Sequence, residues 1–564
     1  MGVAARISRP VMRPPPCDED RKTYHGAVAV IDIATPPGPA PEAGDLRRSE
    51  RAAAIRERLV IAMPTDRLAG WLTAIGISVF AAILRFWDLG QPHAVVFDET
   101  YYMKEAFSML RFGYERRTVD GADDKILAGN TDVLTTAADF VVHPPLGKWV
   151  IAFGEQLFGV TPFGWRFSMA VLGVLAVLLV TRITRRLTRS TLIGATAGLL
   201  MAIDGQAIVH SRTALLDQTL MFCALVAFGA LLLDRDFMRR RLADLVDRDG
   251  PGRTAIAAGL GPWMFWRPWR IVAGVFLGLT IGTKWSGLWF LALFALLTIA
   301  WDVGARRVID IRHPLVSMLV RDAVPAFVYL VVVAGITYLV TWTGWFLTDG
   351  GWDRNWAASN PTEGLLFLPE ALRSLVHYHL EAWHFHVGLT SPHSYQSNAW
   401  SWPVQGRPTS FYYESYKNGE NGCTVDSCSA AVTALGNPII WWAATVALVH
   451  QLWRWIAHRD WRSGAVIVGF IAGWFPWLLF QERTIFTFYS IAFLPFVVMA
   501  LAMTLGTILG PTLASPARRM WGTMFAGGIV LLALAVSGFF YPIWTGQVVP
   551  YEYWHIHMWF PSWV

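Results

Sequence analysis

Apolar stretches long enough to cross roughly 30 Å of hydrocarbon recur along this chain from about residue 68 onward. A lipid interior accepts backbone only where every N–H and C=O is satisfied internally, so such a chain must fold as helices. The stretches cover roughly 68–89, 164–182, 191–209, 212–233, 271–284, 286–302, 323–345, 438–455, 464–480, 484–509 and 521–542. Composition agrees: 54% of residues are hydrophobic and only 16% charged, an imbalance foreign to a soluble domain of this size. The 29 Trp suit the boundary between lipid tails and headgroups, where indoles concentrate. The reading is an all-α integral membrane protein, a multi-spanning bundle of about eleven transmembrane helices.

Arg and Lys beside the spans set its orientation. Arg47, Arg48, Arg51, Arg56, Arg58 and Arg67 precede the first span, and Arg182, Arg185, Arg186 and Arg189 follow the second. Arg235, Arg239, Arg240, Arg241, Arg248 and Arg253 follow the fourth, while Arg306, Arg307, Arg454, His458, Arg462, Arg518 and Arg519 mark later connections. All of these fall inside when the N-terminus is cytoplasmic and the C-terminus, from about residue 543, is outside. The net charge of +6 is therefore a topology signal, and no base-reading motif accompanies it, so nucleic acid is excluded as a partner. Residues 1–66, with Pro14-Pro15-Pro16 and the run from Pro36 to Pro41, read as a disordered cytoplasmic tail. Residues 67–345 form an N-terminal transmembrane catalytic part whose first external loop is 90–163. A large external loop, 346–437, and a C-terminal transmembrane part with an external tail, 438–564, complete the chain.

Against this topology a few polar residues stand out. Asp98 and Glu99 lie side by side just past the first span, where carboxylates are costly to desolvate and do nothing for insertion. Arg166 opens the second span, Arg212 lies between the third and fourth, Lys284 occupies the break Gly282-Thr283-Lys284-Trp285-Ser286-Gly287, and Arg483 begins the tenth. Any one of them alone can snorkel to headgroups or pair with a neighbouring acid. Four cations on the face that carries the paired carboxylates point to a phosphate pocket, and hence to an enzyme acting on a lipid-linked substrate. Arg212 and Asp217 also fit a structural ion pair or cap between two helices. His143 precedes Pro144-Pro145, which starts an interfacial helix from about 146 to 158; it is a ligand, a hydrogen-bond donor or a capping group. The aspartates 120, 123, 124, 132 and 139 solvate the loop before it.

The large loop holds two further constellations. His377, His379, His384 and His386 with Glu381 resemble a metal cluster, but helical positions i and i+2 point to nearly opposite sides, which disfavours chelation. An amphipathic interfacial helix with Trp383 and Phe385 fits better, and neither a metal nor another cofactor is expected. Cys423 and Cys428 fall on the oxidising side at a spacing that closes a small disulfide loop, whereas Cys17 and Cys223 stay reduced.

Phe97-Asp98-Glu99, His143-Pro144-Pro145-Leu146-Gly147-Lys148, Gly164-Trp165-Arg166-Phe167, Ser211-Arg212-Thr213-Ala214-Leu215-Leu216-Asp217, Thr283-Lys284-Trp285-Ser286-Gly287, His384-Phe385-His386-Val387-Gly388-Leu389-Thr390 and Trp400-Ser401-Trp402-Pro403 occur in this order. Together they resemble the protein O-mannosyltransferase family, glycosyltransferases of the GT-C architecture, over about residues 70 to 545, in its actinobacterial form. The resemblance implies transfer of mannose, with inversion, from a polyprenyl-phosphate-mannose donor to Ser or Thr hydroxyls of secreted or membrane proteins, at the outer face of the plasma membrane. It makes Asp98 the general base and Glu99 a group that orients the base or the sugar, or pairs with an Arg. Arg166, Lys284 and Arg483, with His143 and Arg212, are the candidates for the donor phosphate and substrate. The implied partners are the lipid-linked donor, the bilayer, secreted acceptors and the Sec machinery that delivers them. At about 90 residues the large loop is too short for the β-trefoil repeats of eukaryotic members, so it is expected to be helical and irregular. Two alternatives stay open: a GT-C transferase with a lipid or polysaccharide acceptor, and a lipid-linked sugar transporter. The second fits less well, since transporters place charge at mid-membrane on repeated broken helices.

Overall fold

The computed structural model describes residues 43–249, 259–511 and 513–564. A compact unit runs from Arg48 to Val564; of the separate unit Met1–Arg47 only 43–47, the start of helix α1 (Ala43–Leu59), is described. Residues 1–42 of the expected tail, Cys17 among them, lie outside the described residues. From residue 48 the tail reading is corrected. The run Ala52-Ala53-Ala54-Ile55-Arg56-Glu57-Arg58 consists of strong helix formers, and Ile55 and Leu59, four apart on one face, bury against Met238, Leu242 and Ile309.

Among the described residues six helices are long and apolar enough to cross a membrane: α2 (Arg67–Phe86), α5 (Pro162–Thr188), α8 (Leu216–Asp249), α10 (Gly287–Val308), α11 (Ala323–Thr341) and α16 (Pro516–Thr545). A seventh is the bent pair α6 (Thr191–Ile203) and α7 (Gly205–Ser211), and α9 (Pro268–Ile281) and α15 (Leu494–Leu509) are shorter apolar helices. Helices α13 (Pro438–His458) and α14 (Trp461–Leu478) pack beside α15. Side-chain size follows the surroundings. In α2, Leu68, Trp71, Leu72, Ile75, Val79 and Ile83 are exposed, whereas Gly70, Ala74, Ser78 and Ala81 are buried at intervals of three and four. Bulky apolar groups thus face outward, and small ones let neighbouring helices approach, as lipid-embedded packing requires.

The expected span 191–209 is two helices bent by 60°. Asp204 causes the break: its Oδ1 accepts the Ala207 N–H as the cap of α7, and its Oδ2 accepts from the Asn437 N–H and the Trp441 indole. The carbonyls of Met201 and Ala202, freed from the helical ladder, accept from the buried Arg85 guanidinium at 3.2 and 3.0 Å. The expected span 484–509 is likewise corrected. Its helix starts only at Leu494, after a 3-10 turn over Thr487–Ala492, so Arg483 lies in a turn and does not begin a helix.

The all-α expectation also needs correction. In the first loop β1 (Arg116–Thr118) pairs antiparallel with β2 (Leu134–Ala138). In the large loop, expected to be helical and irregular, β3 (Thr409–Lys417) pairs with β4 (Ser427–Ala434), and β4 pairs with β5 (Val548–Pro550). The Phe411-Tyr412-Tyr413 run suits a pleated surface, and β4 is buried along nearly its whole length. A disulfide joins Cys423 to Cys428, the second residue of β4, and the Cys223 thiol is free and buried in the bundle.

A buried ion pair pins the start of the first loop. Glu99, at the start of α3 (Glu99–Phe112), accepts from Arg166 Nε at 2.8 Å and Nη2 at 2.9 Å, and from the Val96 and Ala214 N–H groups. Arg166 also donates to the carbonyls of Leu89, Pro92 and Ala94, so the chain leaving α2 is pinned to α5. Both side chains are fully buried. Removing one partner of such a pair strands the other charge, so Glu99→Gln is expected to cost about 3–5 kcal/mol of stability. A thermal unfolding scan of detergent-purified protein checks this, and Glu99→Gln combined with Arg166→Met is expected to cost less than Glu99→Gln alone.

Candidate active site

Asp98 follows a strained residue. Phe97 has φ 52°, a left-handed conformation that a bulky side chain adopts only when its surroundings impose it. Its ring stacks on Phe411 of β3 at 4.6 Å and meets the edge of Phe488 at 5.5 Å. Aromatic groups from the large loop and the C-terminal part therefore set the backbone that presents Asp98. Asp98 occupies the N-cap position of α3 without making a side-chain cap, and among the described residues no donor reaches its carboxylate. A carboxyl engaged in structure would be bonded; this one is half-buried and free.

The charges around it come from two breaks. Leu146, at the start of α4 (Leu146–Phe158), donates its N–H to the Gly282 carbonyl at 3.0 Å, which docks the His143–Lys148 motif on the Gly282–Gly287 break. Gly147 is required there, because a Cβ would lie 2.6 Å from the Leu216 side chain. Leu216 is followed by Asp217, which accepts from Lys284 Nζ at 2.6 Å. Lys284 also lies 5.4 Å from the Tyr489 ring centre. Burial raises the Asp98 carboxyl to about 6, with the Lys284 cation opposing the rise and the Asp217 carboxylate adding to it. A carboxylate held near 6 is a better proton acceptor at neutral pH than an ordinary aspartate and is still mostly ionised.

His143 packs 5.3 Å from the His386 ring of α12 (Glu370–Gly388) and 6.3 Å from Tyr102. Burial, then Lys284, pushes its imidazole well below the usual histidine range, so it is neutral. Lys148, fully buried, donates to the His143 carbonyl at 3.1 Å and to Glu115, which fixes this loop. Arg483 donates through Nε to the His386 carbonyl at 3.2 Å and through Nη2 to His386 Nδ1 at 3.3 Å. Its Nη1 has no partner among the described residues.

The residues singled out from the sequence thus divide. Asp98, Lys284, His143 and Arg483 converge. Glu99, Arg166 and Arg212 do not face the site. Glu99 and Arg166 bond each other, the pairing with an Arg that was one of the roles expected of Glu99, and Arg166 has no N–H left over for another partner. Arg212 bonds the carbonyls of Arg85, Trp87 and Asp88 at the end of α2, a helix cap as the sequence allowed, while Asp217 pairs with Lys284 instead. Asp217 and Tyr489 belong to the site and were not assigned to it from sequence. The available signal for Asp217 was its place at the end of the Ser211–Asp217 motif. Among the described residues no group of His, Cys, Asp and Glu is arranged to hold a metal ion.

The sequence model described as the C-terminal four TMM region of protein-O-mannosyltransferase matches residues 371–563, and that of dolichyl-phosphate-mannose-protein mannosyltransferase matches residues 75–245. The chain is 40% identical over 509 residues to a polyprenol-phosphate-mannose–protein mannosyltransferase of Mycolicibacterium smegmatis, covering 89% of this chain and 94% of that one. It is 38% identical over 508 residues to the protein so named from Mycobacterium tuberculosis, covering 89% and 93%. The fold matches the Saccharomyces cerevisiae protein O-mannosyltransferase Pmt1-Pmt2 complex bound to the sugar donor, with a TM-score of 0.66 at 16% identity over 91% of this chain and 94% of that one. On these grounds the chain belongs to the protein O-mannosyltransferase family, as a multi-pass membrane enzyme.

Proposed function

We propose that this enzyme transfers mannose from a polyprenyl-phosphate-mannose donor to Ser or Thr hydroxyls of secreted or membrane proteins. The observation that carries the reading is the unbonded Asp98 carboxyl, raised to about 6, beside fixed cations at a helix boundary. The names of the mycobacterial relatives supply donor and acceptor class.

In this mechanism Asp98 accepts the proton of the acceptor hydroxyl as its oxygen attacks the anomeric carbon from the face opposite the phosphate. One displacement inverts that centre, and one base suffices because the departing lipid phosphate is already an adequate leaving group. The negative charge that grows on the phosphate is met by Arg483, through its unpaired Nη1, and by Lys284, which spends one of its three N–H donors on Asp217. Neutral His143 contributes a hydrogen bond to the sugar or phosphate without adding charge. Glu99 holds the base in place through the N-terminal turn of α3. The fixed cations do the work a metal ion would do, and chelation with EDTA is expected to leave the rate unchanged.

The same reading gives about eleven spans, with the N-terminus inside and the site at the outer face of the plasma membrane, as the positions of the basic residues support. Acceptors reach the site while extended, which makes the Sec machinery the natural supplier.

The test is mannose transfer from a polyprenyl-phosphate-mannose to a Ser/Thr-rich peptide by purified protein. Wild type is expected to transfer, and Asp98→Asn, nearly isosteric but unable to take a proton, to lose about 10²–10⁴-fold in rate. Folded wild type that leaves the peptide untouched but loads a lipid acceptor overturns the reading. Because the free carboxylate is the active form, kcat/KM is expected to rise with pH, inflect near 6 and level off above it. A rate independent of pH between 5 and 7.5 excludes Asp98 as the base.

A further inference from the structure

Helix α12 carries four histidines, and their seven-residue spacing sorts them onto two faces. On one face His377 stacks on Trp356 at 4.3 Å and bonds Asp353 at 3.0 Å, and His384 is exposed beside Glu381. On the other face lie His379 and His386. His379 donates through Nδ1 to the Leu375 carbonyl at 2.6 Å, and its Nε2 accepts from the Tyr338 hydroxyl at 2.5 Å. That hydroxyl accepts from the indole N–H of Trp285, the neighbour of Lys284, at 3.2 Å. This face of α12 is therefore anchored at the Gly282–Gly287 break.

At His386 the partners dictate the tautomer. Nε2 lies 3.1 Å from the Val142 carbonyl, which only accepts, so Nε2 carries the hydrogen. Nδ1 is then a bare lone pair, and it receives the Arg483 Nη2 N–H. The backbone carbonyl of the same residue receives Nε–H. Two of the three nitrogens of the guanidinium are thus held by one residue, and the third is left pointing away from it. Val142 adjoins His143, so one imidazole links the His143 segment to Arg483.

We propose that His386 is a positioning residue: as a neutral ring hydrogenated at Nε2 it aims Arg483 at the phosphate of the lipid-linked donor. The proposal rests on the reading that Arg483 grips that phosphate. An imidazolium, or the opposite tautomer, turns an N–H toward the guanidinium and destroys the clamp. His386 itself touches no reacting atom.

The test is a double-mutant cycle on the full-length protein, with polyprenyl-phosphate-mannose as the varied substrate and kcat/KM as the readout. Arg483→Ala is expected to lose about a hundredfold. His386→Ala is expected to lose about tenfold, and the double variant no more than Arg483→Ala alone, because His386 acts only through the guanidinium. His386→Gln, whose amide N–H can face Val142 while its oxygen faces Arg483, is expected to stay within about threefold of wild type. Should His386→Ala be recovered unfolded, His386→Leu keeps bulk against Trp285 and is read in the same way. Full multiplication of the two losses, or failure of His386→Gln to rescue, overturns the proposal while leaving Arg483 at the phosphate. A wild-type rate for Arg483→Ala overturns both.

Discussion

Arg166 makes five hydrogen bonds inside a low-dielectric region, two to Glu99 and three to the carbonyls of Leu89, Pro92 and Ala94 in the segment leaving α2. A buried guanidinium tolerates no vacancy among its donors, so each of those carbonyls has one permitted place. The segment ends at Phe97 and Asp98, and Glu99 in turn receives the N–H of Ala214 just ahead of α8. One ion pair therefore sets the loop that carries the proposed base relative to the helix that carries Asp217. Its energetic return is small against a well-packed apolar substitute; its geometric return is the site.

The polar groups of the site sit on irregular backbone, which hydrocarbon does not accept unless its N–H and C=O groups find partners. At the α6–α7 bend the partner is Arg85. At the Gly282–Gly287 break the Leu146 N–H serves the Gly282 carbonyl. Around Arg483, the Thr484 N–H bonds the Leu389 carbonyl and the Ser397 N–H bonds the Ile485 carbonyl. Each of these interruptions is thus repaired by a remote segment. The large loop is part of that repair.

Helix positions were largely legible because hydrocarbon thickness imposes length and apolarity together, and because the ordered motifs carry the family likeness. Asp98 and Glu99 were legible as a pair, but which one stays free depends on an arginine 67 residues away from Glu99. Asp217 had two cations within reach on paper. The choice of Lys284 follows from Arg212 reaching the last carbonyls of α2, a geometry without a local signature. The small sheet was hidden because β4, Ser-Cys-Ser-Ala-Ala-Val-Thr-Ala, is too small-sided to advertise a strand, and β5 has three residues. The Thr487–Ala492 turn escaped because its apolar residues continue without a break into α15.

The aromatic clamp on Phe97 also orders events in time. A membrane chain is inserted from its N-terminal end, and Asp98 emerges with the first long loop. Phe411 and Phe488, which hold the strained backbone beneath it, are translated far later. Until they arrive, nothing compels Phe97 into its left-handed conformation, and the carboxylate has no fixed direction. The direction of the Asp98 carboxylate is thus a property of the whole chain: it is set only when segments more than 300 residues apart in sequence have met.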